Sequence, residues 1–217
     1  MPALITWWKL DLAELAPGAH HDAVLAIGTD LMRRWTEPHR GYHGTRHLVE
    51  VFWALEELEE GQEITAREGA LGRLAGWFHD AVYDPSAPGG SNEVDSADLA
   101  LRDLQALRLD ADDIETVRDL VLATSTHDLR AGGLAAAFHD ADLWILGAPA
   151  ERYAEYTGQV RTEYAAVPDD AFRAGRAAIL RPFLDRESIY ATQTARDRWE
   201  GAARANLLRE FEVLAAP

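Results

Sequence analysis

Cysteine is absent from this chain of 217 residues. No disulfide framework can staple it and no thiolate can hold a metal, so any ion must be bound by His, Asp or Glu. Positive charge is scarce: 21 basic residues stand against 37 acids, a formal charge of −16, and Lys9 is the single lysine. That balance argues against a nucleic-acid polymer or an anionic membrane as the main partner, and fits small ligands and cations better. No apolar run approaches the roughly 20 residues of a membrane-spanning helix. The start, Met1 to Lys9, has no basic segment followed by an apolar stretch, so a cytoplasmic protein is expected. Alternation of apolar and polar residues, the mark of a half-buried strand, is missing too.

What remains reads as helices punctuated by Gly, Pro and Asp. Residues 20–35 form one amphipathic stretch, broken by Pro38, Gly41 and Gly44. From Arg46, the positions Leu48, Val51, Phe52, Leu55 and Leu58 follow the rhythm of one helix face. Residues 66–83 are apolar on most sides, which predicts an enclosed central helix, and 84–91, rich in Pro and Gly, must be a loop. Further helices are expected over 93–107, 113–127, 134–146, 150–166, 169–184 and 194–214. With one core's worth of chain and no repeat, the expected product is an all-α, single-domain orthogonal helical bundle spanning 1–217.

Several ionisable residues sit where such helices bury their faces. His79 and Asp80 lie inside the apolar run Leu71 to Tyr83. Burying a carboxylate beside an imidazole is costly unless something such as a cation compensates. His47 lies beside the stripe of Val51 and Leu55, and Asp142 has Phe138 at i−4 and Leu146 at i+4. His127 extends the stripe Val117, Leu120, Val121 and Thr124. Singly, each has an ordinary explanation: an inward His is usually hydrogen-bonded in the core, and an inward Asp can pair with Arg or cap a helix. As a set, nitrogen and oxygen ligands without thiolates describe a hydrolytic metal site rather than a closed structural one.

The order His47, His79-Asp80, Asp142 resembles the H…HD…D signature of the HD superfamily of metal-dependent phosphohydrolases. The surrounding segments Tyr42-His43-Gly44-Thr45-Arg46-His47, Trp77-Phe78-His79-Asp80, Asn92-Glu93, Thr124-Ser125-Thr126-His127 and Asp140-Ala141-Asp142 are similar to a bacterial subgroup described as predicted metal-dependent HD phosphohydrolases. The likeness extends over nearly everything after residue 40. It implies a motif core at about 42–146 with the helices of 150–214 packed on it.

Carried over position by position, the resemblance makes His47, His79, Asp80 and Asp142 ligands of one divalent ion, whether Mn, Co, Ni, Fe, Zn or Mg. Asp140 competes for the last place, and the Leu after Asp142 favours Asp142. Asp80 is expected both to ligate and to accept a proton, His127 to contact substrate or support a ligand, and His43 and Glu93 to carry protons or to support the ligands from behind. His139 reads as incidental. The family's two-metal members carry more histidines than this chain offers, so a single ion is expected. The reaction implied is hydrolysis of a nucleotide or another small phosphorylated metabolite by metal-activated water. A non-catalytic module that uses the same pocket to bind a metal or nucleotide is the alternative. Residues 151–217 carry 10 Arg against 11 acids, whereas residues 1–150 hold 11 bases against 26 acids. Arg161, Arg176, Arg181 and Arg186 are therefore the candidates for the phosphate, although helix-surface Arg more often solvates or pairs. A homodimer is a further expectation, drawn from Trp7 and Trp8 at the start of the chain.

Overall fold

Thr65 opens the central helix with a capping box. Its side chain accepts from the Glu68 N–H, and the Glu68 carboxylate takes the Thr65 N–H at 2.8 Å. Two of the donors that a helix start leaves unpaired are thereby satisfied. In the computed structural model, which describes residues 2–128 and 132–215, this element is α4 (Ala66–His79). It follows α1 (Pro2–Leu15), α2 (His21–Arg34) and α3 (Thr45–Glu60). After it come α5 (Ser91–Ala106), α6 (Ala111–Ala123) and α7 (Gly133–Asp142), a 3₁₀ helix (Leu143–Gly147), α8 (Ala150–Glu163), α9 (Asp169–Asp185) and α10 (Gln193–Ala215). The described residues contain no strand, and the architecture is an all-α bundle.

One apolar cluster runs from Leu4 on α1 to Leu207 on α10. The central helix is enclosed, as its composition predicts: every residue from Gly69 to His79 except Arg73 is buried. Two small residues let α3 come close. A Cβ on Gly76 would lie 2.8 Å from Phe52 Cε1, and one on Gly72 would lie 3.1 Å from Leu55 Cδ2. This contact brings the face of α3 that carries His47 against the end of α4 that carries His79.

Four helices end several residues earlier than their patterns predict, among them the one expected over 150–166, which stops at Glu163. The helix expected over 66–83 stops at His79, and Asp80 leaves helical geometry at φ −116°, ψ 20°. The cause is Arg40, whose guanidinium takes the Asp80 carbonyl at 2.8 Å and the Ala81 carbonyl at 3.2 Å. Ser96 then holds the Val82 N–H at 3.0 Å. Asp84, followed by Pro85, is biased away from helix in any case. The stretch expected to run to 127 ends as a helix at Ala123, and the one expected to 146 tightens to 3₁₀ from Leu143.

The argument for a dimer from Trp7 and Trp8 is answered within the chain. Trp8 is buried, donates to the Val24 carbonyl at 2.8 Å and meets Trp77 edge-on, while Trp7 packs on Phe52.

Candidate metal centre

The four residues in the order His47, His79, Asp80, Asp142 meet at one place. Nε2 of His47 and Nε2 of His79 face each other at 3.1 Å. Asp142 Oδ1 lies 3.2 Å from the first and 3.3 Å from the second. Asp80 Oδ2 lies 3.1 Å from His79 Nε2 and 3.7 Å from His47 Nε2. Donor atoms of His47, His79 and Asp80 all fall within 4.8 Å of one another, a spacing that can hold a metal ion. No further group of that kind is found among the described residues.

The chemistry of the donors fits a cation. His79 Nδ1 lies 2.8 Å from the Gly76 carbonyl, which can only accept. Nδ1 therefore carries the proton, and Nε2 is left as a lone pair aimed at the cluster. His47 Nδ1 meets the Tyr42 hydroxyl at 2.9 Å, a contact in which the hydroxyl can donate or accept. Imidazole and carboxylate lone pairs converging in the interior repel one another unless a proton or a metal lies between them. Protons answer that demand in the metal-free centre. Burial works against charging His79, but the Asp80 and Asp142 carboxylates outweigh it and hold the imidazole well above its ordinary pKa. Burial would raise both carboxyls, yet the neighbouring histidines hold Asp80 and Asp142 below the usual carboxylate range.

Trp35 and Phe138 flank the His79 ring, at 5.5 and 5.9 Å between centroids. The centre is closed at the bottom and open at the top. Side chains of His79 and His47 are 1% and 3% exposed and Asp142 9%, whereas Asp80, His43 and His127 reach 17%, 23% and 28%. Asp80 reaches the same point as His79 because the helix ends between them. Within a helix, adjacent side chains would diverge by about 100°.

Asp140, the competitor for the last position, is engaged elsewhere. It accepts from the N–H of Ala191 at 2.8 Å and from the N–H and hydroxyl of Thr192 at 2.7 Å each, just ahead of α10. We therefore expect Asp140→Ala to lower stability by about 2–5 kcal/mol, because buried donors lose their acceptor, while the folded protein keeps its metal. Asp142→Ala is expected to empty the centre at a smaller cost in stability. Thermal unfolding combined with elemental analysis of the purified variants separates the two.

His139, read above as incidental, is buried and structural: Nδ1 meets Asp140 at 2.8 Å and Nε2 meets the His127 carbonyl at 3.2 Å. His127 stands at the rim with Nδ1 3.9 Å from Asp142 Oδ2 and its backbone in the left-handed region, φ 48°. Burial and the neighbouring His139 lower its pKa against the pull of Asp142. Glu93 lies in the first turn of α5, and its buried Oε2 has no hydrogen-bond partner among the described residues.

Of the four arginines proposed for phosphate, two have their donors committed elsewhere and a third lies against an aromatic ring. Arg161 closes the end of α8, bonding the Tyr164 and Val167 carbonyls and Asp169. Arg176 is buried in an ion pair with Glu210 at 2.8 Å and donates to the Tyr156 hydroxyl at 2.7 Å. Arg181 lies over the Phe211 ring. Arg186 alone reaches a residue of the centre, donating from Nη2 to the His127 carbonyl at 2.8 Å. A groove of about 480 Å³ between α8, α9 and α10, lined by Tyr153, Thr157, Arg161, Phe172 and Val213, includes none of the four ligand candidates.

The residues that sequence reasoning missed are those that hold the centre from behind. Glu163, at the end of α8, takes the N–H groups of Gly41, Tyr42 and His43 on Oε1 at 2.8–2.9 Å. Its Oε2 takes His43 Nδ1 at 2.7 Å and the Tyr83 hydroxyl at 3.0 Å. Despite burial, these donors and the neighbouring His43 keep its carboxyl below the ordinary value. One carboxylate thus shapes the turn that presents Tyr42 to His47. A glutamate on a helix 120 residues away carries no local signal of this.

Comparison with known families, curated proteins and solved structures finds no match to this chain.

Proposed function

We propose that this protein is a metal-dependent phosphohydrolase of the HD type, acting on a nucleotide or another small phosphorylated metabolite. The observation that carries the reading is the convergence of two imidazole Nε2 atoms, 3.1 Å apart, with carboxylates from two further points of the chain. Mixed imidazole and carboxylate donors suit Mn, Fe, Co, Ni, Zn or Mg. A divalent ion bound there acidifies a coordinated water and draws charge from a phosphoryl oxygen.

The protein's own residues supply the rest. Asp80, at the open side, accepts the proton of the attacking water. His43, anchored through Nδ1 to Glu163 and partly exposed, returns a proton to the leaving group. Burial alone would discharge His43, but Asp80 and Glu163 outweigh it and raise its pKa above the ordinary imidazole value. Raised basicity favours the protonated form that a general acid needs.

Two measurements test this. Purified protein is stripped with chelator, reloaded singly with Mn, Co, Ni, Zn or Mg, and assayed on nucleotides and generic phosphate esters. Turnover that needs the added ion is expected, and metal-bound protein inert on every ester would overturn the proposal in favour of a binding module. The second is a pH profile. The rate is expected to fall as pH rises through the raised His43 pKa, above 6.5. Glu163→Gln removes a negative charge that favours imidazolium, so its descending limb should move to lower pH. An unmoved limb would remove His43 from the acid role.

A further inference from the structure

The groove of about 480 Å³ between α8, α9 and α10 shares no lining residue with the metal centre. Its volume falls within the range of roughly 300–1,000 Å³ over which proteins bind small organic molecules. The base is preformed, because the polar groups there are satisfied from beneath. The Tyr153 hydroxyl donates to Glu210, whose carboxylate also takes Arg176 at 2.8 Å. The Asn206 amide holds the Leu146 and Ala148 carbonyls at 2.8 and 2.9 Å. Tyr153, Asn206 and Glu210 are all buried.

What the groove offers a ligand is therefore mostly ring and aliphatic surface, from Tyr153, Phe172, Val213 and Leu214. Val213 stands 69% exposed. The face of α8 leaves room for an occupant: Ala154 and Gly158 line the groove one turn apart, and a Cβ on Gly158 would meet no atom of the described residues within 4 Å.

Charge decides the kind of ligand. Five charged residues line the groove, Arg161, Asp169, Arg173, Arg209 and Glu210. Both acids are already matched, Asp169 by Arg161 at 2.6 Å and Glu210 by Arg176 at 2.8 Å. Arg209 has no carboxylate partner among the described residues, and its guanidinium is steadied by Asn206 Oδ1. In a chain of net charge −16, this groove has a local surplus of positive charge. A guanidinium without a counter-ion, placed beside apolar surface, favours a carboxylate or a similar acid, which its fork can grip through two hydrogen bonds.

We infer that the groove is a second binding site, for an organic anion whose apolar body lies against Tyr153, Phe172 and Val213 and whose acidic head meets Arg209. The inference stands apart from the hydrolase reading.

The probes are decanoate and naphthalene-2-sulfonate, one aliphatic and one aromatic. Each is titrated calorimetrically into the full-length protein, with chelator present so that neither is drawn to a metal ion. Saturable binding of at least one is expected, with its uncharged counterpart, decanol or 2-naphthol, weaker by about tenfold or more. Arg209→Gln should weaken the anion by about tenfold, the scale of one lost hydrogen bond to a charged group. Gly158→Leu places a side chain in the groove and should abolish binding. Its melting temperature should stay at or above the wild-type value, because leucine favours a helix over glycine. No saturable binding of either anion, equal binding of the uncharged counterparts, or full affinity in Arg209→Gln or in Gly158→Leu would each overturn the inference. So would a dimer in light scattering that Gly158→Leu dissociates, since a second copy of the chain would then fill the groove.

Discussion

His79→Ala is expected to lower metal-dependent turnover by about a thousandfold or more. A Lewis acid contributes several kcal/mol at the transition state, and each 1.36 kcal/mol is a factor of ten. His79 is the substitution of choice because its Nε2 lies within 3.3 Å of both carboxylates and of the His47 nitrogen. Removing it takes away the donor that every other ligand candidate faces. The same variant should lose the stabilisation that metal confers. An ion present at a hundred times its dissociation constant adds about 2.7 kcal/mol, which for a chain of this size raises Tm by roughly 5–10 °C. Thermal melts with and without added ion check this directly. Wild type should respond, His79→Ala should not, and chelator should return wild type to the metal-free value. A metal-induced rise of equal size in both proteins would place the ion elsewhere.

Glu163→Ala should give the largest loss of stability among substitutions near the centre, about 3–5 kcal/mol, as expected when one partner of a buried charged network is removed. Three backbone N–H groups, an imidazole and a phenol lose their acceptor together. The turn at 41–43 then has no anchor, Tyr42 no longer supports His47, and metal affinity falls as well. The effect depends on pH in a defined direction. The Glu163 carboxyl is held below its ordinary value in the folded protein. Its contribution is therefore complete above the unfolded value of about 4.3 and fades as pH falls through the folded value. Denaturant unfolding at neutral pH should show the full difference between wild type and Glu163→Ala, narrowing as the solution is acidified below about pH 4. A difference that persists unchanged in acid would show that the carboxylate's charge is not what matters.

Much of this site was legible before any coordinates. His79 and Asp80 stood out because they interrupt an apolar run, and Asp142 because it lies on the line of Phe138 and Leu146. Burial of a polar group in a periodic pattern is a local property, so a linear sequence displays it. The distinction between Asp140 and Asp142 was less visible. Both lie in α7, and only the position of residues 191–192 shows that one of them is used to hold the chain ahead of α10. The arginines misled for a related reason. Charge by segment pointed to the C-terminal helices, but Arg176 has Glu210 and Tyr156 as partners, and Arg161 closes its own helix. Composition counts charges without showing which are already paired.

The sequence by itself determined the all-helical class, through apolar spacing near 3.6 and the scarcity of alternation, and it marked which residues would be costly to bury. Only the tertiary structure decided that α4 ends at His79 so that Asp80 can turn toward the same point, because the carbonyls after it are taken by Arg40 from before α3. It alone decided that Glu163 and Arg186, far along the chain, brace His43 and His127. Helical periodicity arises from neighbours within four residues, whereas a polar group's partner is settled by which helices pack against each other, and that is a property of the whole core.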